Sequence, residues 1–477
     1  MLSHSYDHIG NVDFRLAKVP AAAPTRSRAV LRMEELDVPR EVDSSGASGV
    51  VYAQLPGEDS VPIGEVPGPT SDTFGYLEAA SGIINDAGVA MAECTCSAIF
   101  AALPVDKGGS ALLNYAELTR IALERASTAR EAIHTMGALA EEFGFFGNSG
   151  AEDLGGCAEN LAVADTDEAW LFHILPDDSG ASAIWAAQRV PDGHATCCAN
   201  MFTIRRMELE DPKNFLYSAS AVDVATRLGL WKPGTPFDFA QIYSHGEVAK
   251  YSGLRVWRAL SLLAPSLQLS PHYTDLLLQP DALPFSVLPE VPVARETFFS
   301  IMRDTLSGTE FDLSKGLAAG PFGVVDRYTG VNPVWVRPIG IYRQAYSYIT
   351  ETLPADNGSL QPTSVLWWGP HASVTTVYRP VFVASSSVPA SLCSGWYKNL
   401  DRGSAYWAHR FVKQTALMRW DTCMAVIKER QEEWEAKGVA LIDQKRPFVI
   451  TEAALDAVEK HAAALMDAWW ALCDELV

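Results

Sequence analysis

Two apolar runs joined by one turn constrain this chain most. Residues 169–175 (AWLFHIL) and 182–190 (SAIWAAQRV) have the length and the aromatic, apolar content of strands. Between them lies Pro176-Asp177-Asp178-Ser179-Gly180. Asp side chains there can bond the backbone two residues on, and Gly accepts a left-handed conformation. The pair predicts an antiparallel hairpin, and a third strand is expected over His194–Asn200. Upstream, Gly88–Cys96 (GVAMAECTC) alternates small and larger side chains as a strand does.

Helical signals are grouped elsewhere. Leu118, Ile121, Ala122 and Arg125 fall at helical spacing, and Thr128-Ala129-Arg130-Glu131 has the form of a capping box. Ala129, Ile133, Met136 and Ala140 then make one apolar face, and Gly144 is the expected stop. Residues 20–75 are rich in Pro, Gly, Ser and Asp and read as loops with short strands such as Val50-Val51-Tyr52. Residues 262–294 read as a proline-punctuated surface excursion. Two helical stretches, 404–436 and 452–476, close the chain with Gly438 and Pro447 between them. Hairpin-joined strands with helices apart from them predict layered α+β architecture rather than a doubly wound parallel sheet.

Charge excludes several functions. The chain has 58 acidic and 37 basic residues, a formal charge of −21. Such a surface repels phosphate backbones and anionic lipid, so neither nucleic acid nor a membrane surface is an expected partner. No apolar run reaches the roughly 18 residues of a membrane helix. Met1–His8 has neither the basic nor the apolar region of a signal peptide. Eight cysteines form no CxxC pair, which argues for reduced thiols rather than a zinc site or a disulfide framework. The sequon Asn357-Gly358-Ser359 is too common by chance to fix a compartment.

Common catalytic signatures are absent: there is no GxSxG, no HExxH, no P-loop and no dinucleotide fingerprint. His173 sits among apolar neighbours and reads as a core histidine. His4 and His8 stand four apart, but Gly10 and the lack of a helical pattern speak against a metal pair. Cys94 and Cys96 would share one face of a strand, where buried thiols are the expected reading. Residue types and spacing alone therefore identify an acidic, soluble α+β protein.

Longer stretches say more. They include His4-Ser5-Tyr6-Asp7, Gly82-Ile83-Ile84-Asn85, Glu93-Cys94-Thr95-Cys96-Ser97, the helical segment 121–137 and the block 168–201 (EAWLFHILPD, AIWAAQRVPDG, CCANM). Arg255-Val256-Trp257-Arg258, Pro284–Val287 and Gly320–Gly323 continue the series. Together, over about residues 3 to 385, they resemble the cysteine-type dipeptidases related to dipeptidase D and secernin. The resemblance implies an Ntn-hydrolase αββα sandwich, two antiparallel sheets between helical layers. It divides the chain into a dipeptidase domain over 1–385, incomplete at its N-terminus, and a C-terminal helical extension over 386–477 packed on it.

The implied chemistry is hydrolysis of a dipeptide or small peptide by a cysteine at the mature N-terminus. Its free α-amine, with an ordinary pKa of about 8, shuttles the proton while a thioester forms. No metal or organic cofactor is implied, and a homo-oligomer is compatible with the sequence. Carried over by position, Asp7 matches the carboxylate that holds the nucleophile's amine, and Asn200 matches the amide near the scissile carbonyl. Glu93, Thr95 and Arg258 match substrate-binding positions. Four of the five also have a plainer reading: a turn residue for Asp7, a strand-end cap for Asn200, a surface carboxylate for Glu93 and an ion-pair partner for Arg258.

The departures are equally specific. The family's nucleophile lies on a strand before the segment matched by His4–Asp7, whereas this sequence begins at Met1 and has no cysteine before Cys94. The nitrogen of Cys94 is an amide and cannot act as the base. Asn160 stands for a serine, Leu288 for a lysine and Thr305 for a histidine. Two expectations follow: a dipeptidase whose nucleophile segment is missing from the chain as written, or an inactive relative with a binding or structural role. The compartment is cytoplasmic as written, and secretory or lysosomal if a signal peptide stands upstream.

Overall fold

In the computed structural model, which describes residues 1–7, 12–32, 62–148, 156–245, 250–272, 281–327, 336–353, 363–443 and 451–477, the predicted hairpin is present. Ala169–Pro176 pairs antiparallel with Ala183–Arg189, from Trp170 opposite Arg189 to Pro176 opposite Ala183. Its turn is tied by Asp177, whose Oδ1 accepts from the backbone N–H of Ser179 and Ser182, and Gly180 adopts φ +69°. Val50–Tyr52, His8, Gly10, the sequon at Asn357 and Pro447 lie outside the described residues.

Thirteen strands make the two large sheets. In chain order they are β1 (Leu2–Asp7), β2 (Ala17–Val19), β3 (Tyr76–Glu78), β4 (Gly82–Asn85), β5 (Ala90–Ala92), β6 (Thr95–Cys96), β7 (Ala158–Ala164), β8 (Ala169–Pro176), β9 (Ala183–Arg189), β10 (Phe215–Tyr217), β11 (Gln344–Leu353), β12 (Thr363–Pro370) and β13 (Arg379–Phe382). The smaller sheet runs β1-β11-β12-β13; the larger runs β10-β9-β8-β7-β5-β4-β3-β2, with β6 paired to β7. All of these pairings are antiparallel. The expected third strand over His194–Asn200 is not a member. Only Ala195–Thr196 is extended, and it pairs with Ser286–Val287, because the backbone turns left-handed at Asn200 (φ +54°).

The two sheets pack face to face, and the period-2 alternation of strands sorts the side chains. From the larger sheet, Ala90, Ala92, Ala162 and Ala164 meet Tyr346, Tyr348, Leu366 and Trp368 of the smaller one. Small residues on one face leave room for rings on the other, and Tyr346 stacks on Trp368 at 4.6 Å between ring centroids. The Tyr348 hydroxyl donates to the Met91 carbonyl across the interface at 2.8 Å. The alternate residues Val89, Met91, Leu161 and Val163 point outward, against the helices α1 (Tyr115–Arg125) and α2 (Ala129–Phe143). On the opposite side, Ile349, Val365, Trp367 and Phe382 pack against α3 (Arg295–Met302), α4 (Trp420–Asp443) and α5 (Glu452–Glu475).

Capping at α2 follows its sequence signal with one change, and α1 has a cap that was not among the expectations. Asn114 accepts from the Glu117 N–H at the start of α1, and Thr128 accepts from the Glu131 N–H at the start of α2. The Glu131 carboxylate reaches one residue beyond the usual capping-box partner, to the N–H and hydroxyl of Ser127. The predicted helix 404–436 divides into Ala405–Ala416 and α4, and Gly438 lies inside α4 rather than ending it. A Cβ at Gly438 would stand 3.1 Å from the Pro380 ring, so the glycine permits close approach of α4 to β13. Among the described residues no helix is long and apolar enough to cross a membrane.

Gly137, in α2, is a test of this packing. A Cβ there would stand 2.4–2.7 Å from indole atoms of Trp185, whose Nε1 donates to Glu141. Overpacking costs about 1–3 kcal/mol, while Ala improves helix propensity by about 1 kcal/mol. Gly137→Ala is therefore expected to lower stability by up to about 2 kcal/mol in urea unfolding. An unchanged or higher midpoint would show that Trp185 yields without cost.

Candidate active site

A cavity of about 680 Å³ opens beside β1, and every residue of that strand lines it. Among the described residues β1 has a partner on one side only, at the edge of the smaller sheet. Further walls include the break between β5 and β6, segment 193–200, and the helices Lys250–Leu263 and α3. The volume is in the range of small-molecule sites.

Asn200 organises one wall, and its left-handed conformation is one that Asn tolerates better than most residues. Its N–H points at the Cys94 sulfur (2.8 Å), and its side-chain amide donates to the Thr95 carbonyl (2.7 Å). Its Oδ1 accepts from Arg255 (2.7 Å), and its carbonyl accepts from the Ser252 hydroxyl (3.4 Å). These bonds fix both the rotamer and the amide orientation. Thr95 donates to Glu159 (3.1 Å) and accepts from Asn148 (3.3 Å). Glu93 pairs with His4 at 3.3 Å, and the His4 ring lies 5.2 Å from that of Tyr348. Asp7 takes two contacts from the Arg343 guanidinium, at 3.1 and 3.2 Å.

Four of the five candidate residues, Asp7, Glu93, Thr95 and Asn200, thus border one cavity. Arg258 is not brought to it. Its guanidinium forks onto Asp304 at 2.9 and 2.7 Å and reaches the Ser307 carbonyl. Arg255, one helical turn earlier, faces the cavity instead. The stretch Arg255–Arg258 marks both arginines; only the rotation of the helix about its axis separates them.

The thiols are also arranged differently from expectation. Cys94 and Cys96 do not share a face, because the strand is interrupted at Glu93 and Cys94. Cys96 is buried in the core with Phe202 and Phe239, while Cys94 lines the cavity with Cys197 and Cys198. Cys94 is held below the ordinary thiol range, chiefly by a hydrogen bond from the Cys198 thiol, with help from the Asn200 N–H and the Arg255 charge. Cys198 is pushed well above it by the same hydrogen bond and by burial. Burial pushes Cys197 up to about 12.

Residues 32–433 match the family model described as Peptidase family C69. The chain belongs to peptidase family C69. The C69 match takes in Glu93, Thr95, Asn200 and Arg255, begins after Asp7, and runs past residue 385 into α4. Among relatives, "Probable dipeptidase A" of Streptococcus pyogenes serotype M3 (strain SSI-1) is 22% identical over 386 residues, 79% of this chain and 75% of the relative. "Probable dipeptidase" of Salmonella dublin is 25% identical over 239 residues, 49% and 47% of the two chains. That of Latilactobacillus sakei is 25% identical over 158 residues, 33% and 30%. C69 membership puts the chain among the peptidases.

Proposed function

We propose that this cavity is the site of dipeptide binding and hydrolysis in an Ntn-hydrolase-type C69 peptidase. The observation that carries the reading is the convergence of Asp7, Glu93, Thr95 and Asn200 on one cavity of suitable size. Two facing antiparallel sheets with helices outside them are compatible with the Ntn sandwich, with residues 386–477 as its helical extension. In this reading the Glu93 carboxylate takes the substrate ammonium and the Arg255 guanidinium the substrate carboxylate, while Arg258 holds the helix through Asp304.

In this mechanism a cysteine thiolate attacks the scissile carbonyl. Asn200 polarises that carbonyl, Asp7 holds the amine that moves the proton, and water releases the second product from the thioester. The base must be a free α-amine on the nucleophile itself. Because the nitrogen of Cys94 is a peptide amide, the reading assigns the nucleophile to a cysteine from upstream, seated along the edge of β1 that has no partner among the described residues. A second reading, dipeptide binding without turnover, is favoured by the same amide at Cys94.

The N-terminal sequence and mass of protein from its native source, followed by a dipeptide hydrolysis assay, separate the two. A mature N-terminal cysteine with activity is the expected result. Asn200→Ala should then lower kcat by about 10²–10³-fold, as loss of an oxyanion donor does. Binding of dipeptides with no turnover would support the second reading, and neither binding nor turnover would sink both.

A further inference from the structure

We propose that a single monovalent inorganic anion, of the size and charge of chloride, binds inside the fold at Arg379, where β13, the helix Ala405–Ala416 and α5 meet. Five of the described arginines are buried: Arg15, Arg28, Arg120, Arg295 and Arg379. The first four are ion-paired, to Asp13, to Glu117 and Glu124, to Glu78 and Glu117, and to Glu351 and Asp443. Arg379 is 1% exposed and bonds only the His409 ring, and neither its Nε nor its Nη1 has a hydrogen-bond acceptor. An uncompensated buried charge costs several kcal/mol, and a bound anion removes that cost.

The surrounding hydrogen bonds define what the site needs. The Thr376 hydroxyl donates to the Pro370 carbonyl at 2.7 Å, so its oxygen is left to accept from His409 Nδ1 at 3.5 Å. His409 then carries its proton on Nδ1, and the lone pair of its Nε2 accepts from Arg379 Nη2. This neutral ring takes up one of the guanidinium N–H groups, while those on Nε and Nη1 meet no acceptor. The Trp469 indole ring lies 5.0 Å from that of His409, and its Nε1 is a further buried donor without a partner. Donors thus gather from a sheet edge and a helix around a histidine, with no acceptor to receive them.

Neighbouring carboxylates do not supply the missing charge. Glu435 is bonded to Arg303 and to the Tyr378 N–H, and Asp326 is bonded to Lys413. Three cations, Arg303, Lys413 and Arg379, therefore face two anions, and one positive charge is left over. Burial pulls the Arg379 pKa down to about 9, which keeps the guanidinium charged at neutral pH. The site calls for one negative charge that accepts from several directions, which a halide ion provides. Water bonds N–H groups but leaves the charge uncompensated. Because Arg379 stands on the edge strand β13 while His409 and Trp469 stand on two C-terminal helices, the anion fastens those helices to the smaller sheet.

The test uses the full chain and reads no catalysis, so it stands apart from the dipeptidase reading. When sodium chloride replaces sodium gluconate at equal ionic strength, Tm should rise saturably by about 3 °C. Arg379→Met should lose that dependence on chloride. Trp469→Phe keeps the ring without the N–H and should need several-fold more chloride for the same rise. Crystals of the wild-type chain grown in sodium bromide should show an anomalous peak within hydrogen-bond reach of Arg379 Nε and Nη1. Ordered water or empty density at Arg379, equal melting in the two salts, or a chloride effect undiminished in Arg379→Met would overturn the proposal. The bromide peak decides even if a variant fails to fold.

Discussion

Replacing Lys413 by methionine is expected to cost about 3–5 kcal/mol of folding stability, the penalty for stranding one partner of a buried ion pair. Lys413, on the helix Ala405–Ala416, bonds Asp326, and both side chains are 1% exposed. Methionine keeps the length and apolar stem of the lysine but withdraws the ammonium from a carboxylate cut off from water. Adding Asp326→Asn should restore part of the loss, because the charge left behind, rather than the pair's own attraction, supplies most of the penalty. Lys460→Met is the control: Lys460 is 76% exposed and pairs with Asp456 one helical turn away, so its loss should change stability by less than about 0.5 kcal/mol. Urea unfolding of the three variants checks the ranking. A Lys413→Met cost no larger than that of Lys460→Met would mean that water reaches Asp326.

Acid should destabilise the fold through His173, and the wild-type chain should lose more than His173→Leu. The ring is fully buried on β8, stacked on Phe202 at 4.8 Å, with Nε2 accepting from the Thr203 N–H at 3.4 Å. Burial lowers its pKa from 6.5 to about 3. The folded state keeps this histidine neutral, whereas the unfolded chain takes up a proton below about pH 6.5. Its contribution is therefore fully present above pH 6.5 and is lost as pH falls toward 3, at up to about 1.4 kcal/mol per pH unit. Between pH 6.5 and 4.5, His173→Leu should shed about 2–3 kcal/mol less than wild type. The fall of the net charge toward zero acts on both proteins, so the difference isolates His173. Equal losses would mean that the ring is protonated inside the fold.

Much of the larger sheet and its helices could be read from the chain because their causes are local. The apolar runs in 169–190, the Asp177 turn, the Thr128 cap and the apolar face of α2 each lie within a few residues of the structure they produce. Failures cluster where distant segments decide. Gly438 reads as a helix end, yet it is retained inside α4 because Pro380 lies against it. His194–Asn200 reads as a strand, yet bonds from Asn200 to Cys94, Thr95 and Arg255 bend it into the cavity. Arg255 and Arg258 differ in role through helix phase, which a short motif without a defined helix start cannot supply. The opposed acidities of Cys94 and Cys198 have no sequence signal, since each answers to groups that lie more than one hundred residues away in the chain.

Pairing of β1 with β11 joins residues 2–7 to residues 344–350, and this separation sets an order of assembly. Closing so long a loop carries an entropy cost that only completed long-range contacts offset. β3 to β10 and α1–α2 fall within residues 76–217 and can associate while the ribosome is still translating the second half of the chain. β1 must wait for β11 to emerge. During synthesis the wall of the cavity thus lacks the partner strand that holds it in the finished fold, and a chaperone that shields residues 2–7 should raise the yield of folded protein more than one that acts on the finished chain.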